Sequence, residues 1–179
     1  EYVVTPSGSC ASMLIHHLPD LLAGDRAYGE RARQLAARTW EFSMFLTDVL
    51  RVDVSSIAAD PARAVTFHYS CHNRGLQSTE QASALVRGLK EVDYRPLDHL
   101  DQCCGFGGAF SALYPNISNA MVCDKVNAIA RTGASVVVSN EAGCTMTMQG
   151  TARRHGLNVA FKHVAEVLAE ALSLMGDWP

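Results

Sequence analysis

The apolar positions of this chain alternate between short runs and helical stripes. Tyr2, Val3, Val4 and Thr5 predict a short buried strand over residues 2–5, and Pro6-Ser7-Gly8-Ser9 predicts a turn after it. Met13, Leu14, Leu18, Leu21 and Leu22 recur at roughly helical spacing, which predicts a helix from about residue 9 to residue 22. Residues 25–51 read as helical with a break near Trp40, and residues 52–61 as a linker. Strands follow over 64–69 and 91–94, with a helix over 80–88 between them. A long helix is expected over 109–132, interrupted at Pro115. The run Ser135-Val136-Val137-Val138-Ser139 has three consecutive valines, as parallel strands buried on both faces tend to have. A helix over 144–154, a strand over 158–161 and a last helix over 163–175 complete the pattern. Strands that alternate with helices predict an α/β fold, mostly a parallel sheet with flanking helices and right-handed crossovers.

The pattern repeats. Val3-Val4-Thr5-Pro6-Ser7-Gly8-Ser9-Cys10 is echoed by Val137-Val138-Ser139-Asn140-Glu141-Ala142-Gly143-Cys144. In both, two valines lead through a small polar turn to a cysteine that opens a helix. A weaker echo, Glu41-Phe42-Ser43-Met44-Phe45-Leu46 against His163-Val164-Ala165-Glu166-Val167-Leu168, falls in the same order. The expected organisation is a complete α/β unit over residues 62–179, preceded over 1–61 by the back half of a similar unit.

Composition narrows the class. With 48% hydrophobic and 18% charged residues in 179, a sizeable core is available without disulfide staples. A net charge of −3 with dispersed Lys and Arg argues against nucleic acid as the main partner. No apolar stretch reaches the ~18 residues of a membrane span. The first residues do not read as a signal peptide, and six unevenly spaced cysteines point to metal binding or catalysis in a reducing compartment, so the cytoplasm is expected.

The chemistry concentrates at Cys103-Cys104-Gly105-Phe106-Gly107-Gly108. Two adjacent thiols followed by Gly105, Gly107 and Gly108 suit a large soft object that needs two sulfur ligands and a close backbone. Cys71 follows a predicted strand, and Cys144 follows another and opens a helix. An open α/β sheet gathers ligand groups at such strand ends. A helix amino terminus favours the thiolate, the form that binds metal. Free N–H groups of the glycine loop could donate to cluster sulfides. Cys71, Cys103, Cys104 and Cys144 are therefore expected to converge, with sulfurs roughly 4–8 Å apart. Cys123, inside an ordinary helical run, reads as a small buried hydrophobe. His68 and His72 flank Cys71. Either would ligate, donate a hydrogen bond or move a proton, or else be an ordinary hydrogen-bonded histidine at a strand end; His72 is the stronger candidate.

The order Cys71, Cys103-Cys104-Gly105, Gly143-Cys144 resembles the cysteine-rich CCG domain, found in pairs in heterodisulfide reductase and in the glycolate oxidase iron–sulfur subunit. The stretches Pro6-Ser7-Gly8-Ser9-Cys10, Ser70-Cys71-His72 and Cys103–Gly108 are most similar to the lactate utilization branch. The resemblance implies a [4Fe–4S] cluster on Cys71, Cys103, Cys104 and Cys144, with Cys10 belonging to an incomplete first repeat. It also implies a role in oxidising L-lactate to pyruvate with partner iron–sulfur subunits, a small organic acid being the substrate. The fuller family pattern ends Cys-x-x-Cys, whereas this chain reads Cys144-Thr145-Met146-Thr147 and Cys10-Ala11-Ser12-Met13. Four thiolates remain, enough for an ordinary [4Fe–4S] or a Zn site. The rival readings are a zinc-stabilised structural or assembly module and a heterodisulfide or thiol redox protein using the Cys103-Cys104 pair.

Overall fold

The computed structural model describes residues 1–59, 63–76 and 80–173. The end of the expected linker (60–61), the boundary between the two expected units and the end of the expected last helix (174–175) lie outside them.

Among the described residues there are two parallel sheets. β1 (Val3–Thr5) pairs with β2 (Thr39–Glu41), with Thr5 opposite Glu41. The larger sheet has the order β4-β3-β5-β6, from β3 (Ala64–His68), β4 (Asp93–Tyr94), β5 (Val136–Ser139) and β6 (Ala160–His163), all parallel. Every residue of β5 is buried, because both faces of the sheet are covered. Val136 and Val138 pack on one side with Phe67, Tyr69, Val86, Val164 and Leu168. Val137 packs on the other with Val122, Val126, Ile129, Cys144 and Met148. Successive side chains of a strand point to opposite faces, so a run of valines feeds two cores at once.

The helices are α1 (Gly8–Ser12), α2 (Leu18–Leu21), α3 (Gly29–Ala36), α4 (Phe42–Met44), α5 (Gln81–Gly88), α6 (Ala109–Leu113), α7 (Pro115–Thr132), α8 (Ala142–Arg154) and α9 (Val164–Ala171). A π-helical stretch, Met13–His17, joins α1 to α2, and a second, Phe45–Val49, continues α4. The break at Pro115 separates α6 from α7 as expected, with Pro115 in the first turn, where its missing N–H costs nothing.

Two sequence expectations are corrected. The break expected near Trp40 is present, but residues 39–41 form a strand there rather than a simple interruption of the helix. Thr39 and Trp40 suit a pleated surface. The Glu41 carboxylate accepts from Ser43 N (2.9 Å) and Met44 N (3.2 Å), so a new helix starts immediately behind it. The opening strand, expected to be buried, leaves Tyr2 56% and Val4 38% exposed, because its sheet has only two strands among the described residues.

The small sheet meets the large one through polar contacts at their carboxyl ends. The Glu141 carboxylate accepts from Ser7 Oγ (2.8 Å), Ser9 N (2.9 Å) and Ser9 Oγ (3.1 Å). Asn140 Nδ2 donates to Glu41 Oε1 at 3.3 Å. His163 Nδ1 accepts from Ala165 N, so Nε2 carries the proton and donates to Pro6 O at 2.7 Å.

Candidate metal centre

The four sulfurs are delivered from three strand ends. β3 ends at His68, and after Tyr69 and Ser70 the chain turns into a short 3-10 helix, Cys71–Arg74, which Cys71 opens. Cys103 and Cys104 lie in the loop between β4 and α6. Cys144 is the third residue of α8, just beyond β5. All four line one cavity of about 330 Å³, shared with Ser9, His72, Phe106, Gly107, Gly108 and Glu141.

Two glycines permit this convergence. Gly105 has φ 82, and a Cβ there would stand 2.5 Å from Ser118 O, so the cysteine loop lies directly on the backbone of α7. A Cβ on Gly143 would stand 2.6 Å from the Phe106 ring, which therefore seats against the first turn of α8 beside Cys144.

The sulfurs are electrostatically linked. Cys104 Sγ and Cys144 Sγ stand in direct polar contact, 2.7 Å apart, closer than the separation expected for converging ligands. This contact, with help from His68 and the Phe106 N–H against the cost of burial, draws Cys104 down to about 4. The same contact and burial push Cys144 far up, so the pair releases one proton readily and holds the second. Burial, and then the neighbouring Cys103, raise Cys71. Gly105 N donates to Cys103 Sγ at 3.3 Å, an N–H···S bond of the kind that steadies a thiolate.

Behind the sulfurs stands His68. Its side chain is fully buried, and neither ring nitrogen has a well-formed hydrogen bond among the described residues. Its ligating nitrogen lies within 4.8 Å of both the Cys104 and Cys144 sulfurs. Burial lowers its pKa, with Cys104 pulling the other way. A neutral imidazole and adjoining thiols form a donor set that fits zinc or an iron–sulfur cluster, and an orphaned buried ring is accounted for once a metal or its sulfide takes the free nitrogen.

The other candidates divide. His72 lines the cavity from an exposed position. Gly107 and Gly108 line it as well, whereas Gly105 is spent on the contact with α7. Cys10, the third residue of α1, is exposed and lies outside the lining, although its neighbour Ser9 is within it. Cys123 is half-buried, 3.8 Å from His155 Nε2, rather than a sealed core residue. Sequence reasoning ranked His68 below His72 and passed over Glu141 and Lys125. The alternation of β3 held the missing signal: Phe67 and Tyr69 belong to one core, so His68 must face the other, where Cys104 and Cys144 lie.

The cysteine-rich CCG domain family matches residues 65–149, the stretch that carries all four cavity-lining cysteines. The chain is 41% identical over 169 residues to lactate utilization protein A of Shouchella clausii (strain KSM-K16), covering 94% of this chain and 70% of that protein. It is 40% identical over 175 residues to lactate utilization protein A 2 of Bacillus cereus (strain 03BB102), covering 97% and 71%.

Proposed function

Because the chain belongs to the lactate utilization protein A family, we propose that it is an iron–sulfur redox subunit acting in the oxidation of L-lactate to pyruvate with partner iron–sulfur proteins. The observation that carries this reading is the meeting of four cysteines from three strand ends on one cavity. Its volume of about 330 Å³ is roughly ten times the ~30 Å³ share of one water molecule, which suits a cluster better than a lone ion. Cys71, Cys103, Cys104 and Cys144 hold the cluster. A [4Fe–4S] group, when bound, takes up and passes on one electron. Gly107 and Gly108 bring backbone to the cavity wall without side chains that would narrow it. His72, exposed at the rim, is positioned to orient a small organic acid or to exchange a proton with solvent.

Residues 1–61 and 62–179 act as two related units. The contacts between them support this by their reciprocity. Pro6 and Asn140 each directly precede the residue before a helix, and each bonds the helix cap that ends the other unit's last described strand, His163 and Glu41 respectively. Ser7 and Glu141, the two residues before α1 and α8, bond each other. Crossing pairs of this kind support a two-fold relation between the units. It sets Cys10 opposite in role to Cys144, third residue of α1 as Cys144 is of α8.

A zinc centre is the second reading, favoured by the buried His68 beside Cys104 and Cys144, a mixed nitrogen–sulfur set of the kind zinc takes. Anaerobic purification of the full-length protein, with iron, sulfide and zinc quantified, separates the two. Iron and sulfide in near-equal amounts with broad visible absorption are expected. Stoichiometric zinc in a colourless protein, or no metal after anaerobic reconstitution, would overturn the iron–sulfur assignment. Reduction of the loaded protein by L-lactate in the presence of its partner subunits tests the substrate.

A further inference from the structure

A buried cation lies under the cysteine loop. Lys125, on α7, has no solvent exposure at all. Its Nζ donates to the carbonyls of His99 (2.7 Å) and Leu100 (3.4 Å), at the start of the stretch leading to Cys103. It forms no ion pair among the described residues. Asp101 is the carboxylate that acts on it, but that side chain is 72% exposed and already paired with Arg74 at 3.2 Å. The remaining acidic groups that act on Lys125 are Cys104, Cys103 and Cys144. Val122 and Val126, its neighbours on α7, share one core with Cys104 and Cys144, so the fully buried lysine and the two buried sulfurs belong to the same side of the sheet.

A sealed ammonium without a carboxylate is costly unless something negative compensates it. The two carbonyls take up two of its three N–H donors but leave its charge. Four thiolates around a metal ion or a cubane cluster, in contrast, leave a net negative charge, and each electron added makes the centre more negative by one. We propose that Lys125 is the built-in counter-charge of this centre, favouring thiolate ligation and raising the ease with which the centre is reduced. The proposal rests on the metal-centre reading above. It explains why a lysine, rather than an apolar residue, sits on the inward stripe of α7.

The experiment compares K125Q, K125M and K125R with the wild-type full-length protein after anaerobic reconstitution. Metal retention is read against a competing chelator and, for the iron-loaded form, reduction potential by a spectroscopically monitored titration. Gln keeps a donor for the His99 carbonyl and loses the charge. Both K125Q and K125M are expected to lose retention by about tenfold or more, and to move the potential to more negative values, while K125R stays near wild type. K125Q matching wild type in both readouts would leave Lys125 a mere tether for the loop and overturn the proposal. So would a K125Q chain that fails to fold even without metal, since the need would then be structural. A wild-type protein that takes up neither iron nor zinc removes the centre itself, an outcome distinct from a loaded wild type indistinguishable from K125Q.

Discussion

Cys104 and Cys123 show how far two thiols of one chain can differ. Cys104 is buried, in contact with the Cys144 sulfur and beside an imidazole, and these neighbours make it the readiest thiolate of the pair. Cys123 is half-buried on α7 with one distant histidine. C104S is therefore expected to abolish metal incorporation after anaerobic reconstitution, and C123S to leave iron and zinc content within error of wild type; equal metal content in the two variants would point to a different ligand set. The two histidines flanking Cys71 separate in the same way. His68 is sealed beside the sulfurs with no hydrogen-bond partner for its ring nitrogens among the described residues, and His72 is at the rim. H68A should lower metal content or shift the visible spectrum of the loaded protein. H72A should leave both unchanged and act only on substrate-dependent reduction. The reverse pattern would place the ligand at the rim.

Among the elements, the cysteine loop depends on its seat on α7. G105A adds a Cβ 2.5 Å from the Ser118 carbonyl at a backbone φ of 82, so both sterics and conformation oppose it. A loss of about 2–3 kcal/mol in urea unfolding is expected, with reduced metal uptake because Cys103 and Cys104 shift together. Gly150 is the contrast. It lies inside α8, and a Cβ added there would meet nothing within 4 Å, so G150A should stabilise the protein by about 0.5–1 kcal/mol and leave metal content alone. If the two substitutions gave the same unfolding midpoint, the close approach at Gly105 would not be what holds the loop.

For the molecule as a whole, the Glu141 carboxylate is the main polar tie between the small sheet and the large one. Three donors from Ser7 and Ser9 converge on it. E141A leaves these without their acceptor, one of them a backbone N–H. A destabilisation of about 1–3 kcal/mol is expected, with faster proteolysis in residues 1–50 than in the large sheet. Uniform cleavage across both would mean the seam contributes little. Metal held by the proposed ligands would be coupled to the same architecture, because those cysteines converge only in the folded chain. Anaerobic chelation of the loaded protein should lower its thermal midpoint, more than chelation lowers that of C104S.

Much of this was legible along the chain because it is written in local chemistry. The three valines of β5, the break at Pro115 and the paired thiols among glycines depend on neighbours a few residues away, and the elements they announce are where they were expected. The four cysteines were picked out because each sits at the end of an element, and in the fold they line one cavity. Other features depended on partners far away in sequence. Thr39–Glu41 read only as a break in a helical stretch until β1 offered it an edge to pair with. Burial of the opening strand could not be judged without knowing how many strands would cover it. His68 outranks His72 only because the sheet turns alternate residues to opposite faces and brings Cys104 and Cys144, 36 and 76 positions further on, to one of them. Local pattern decides which element forms and where ligand-type residues gather. Which side chains are sealed together, and hence which charges and lone pairs must be satisfied, is decided only when distant strands align.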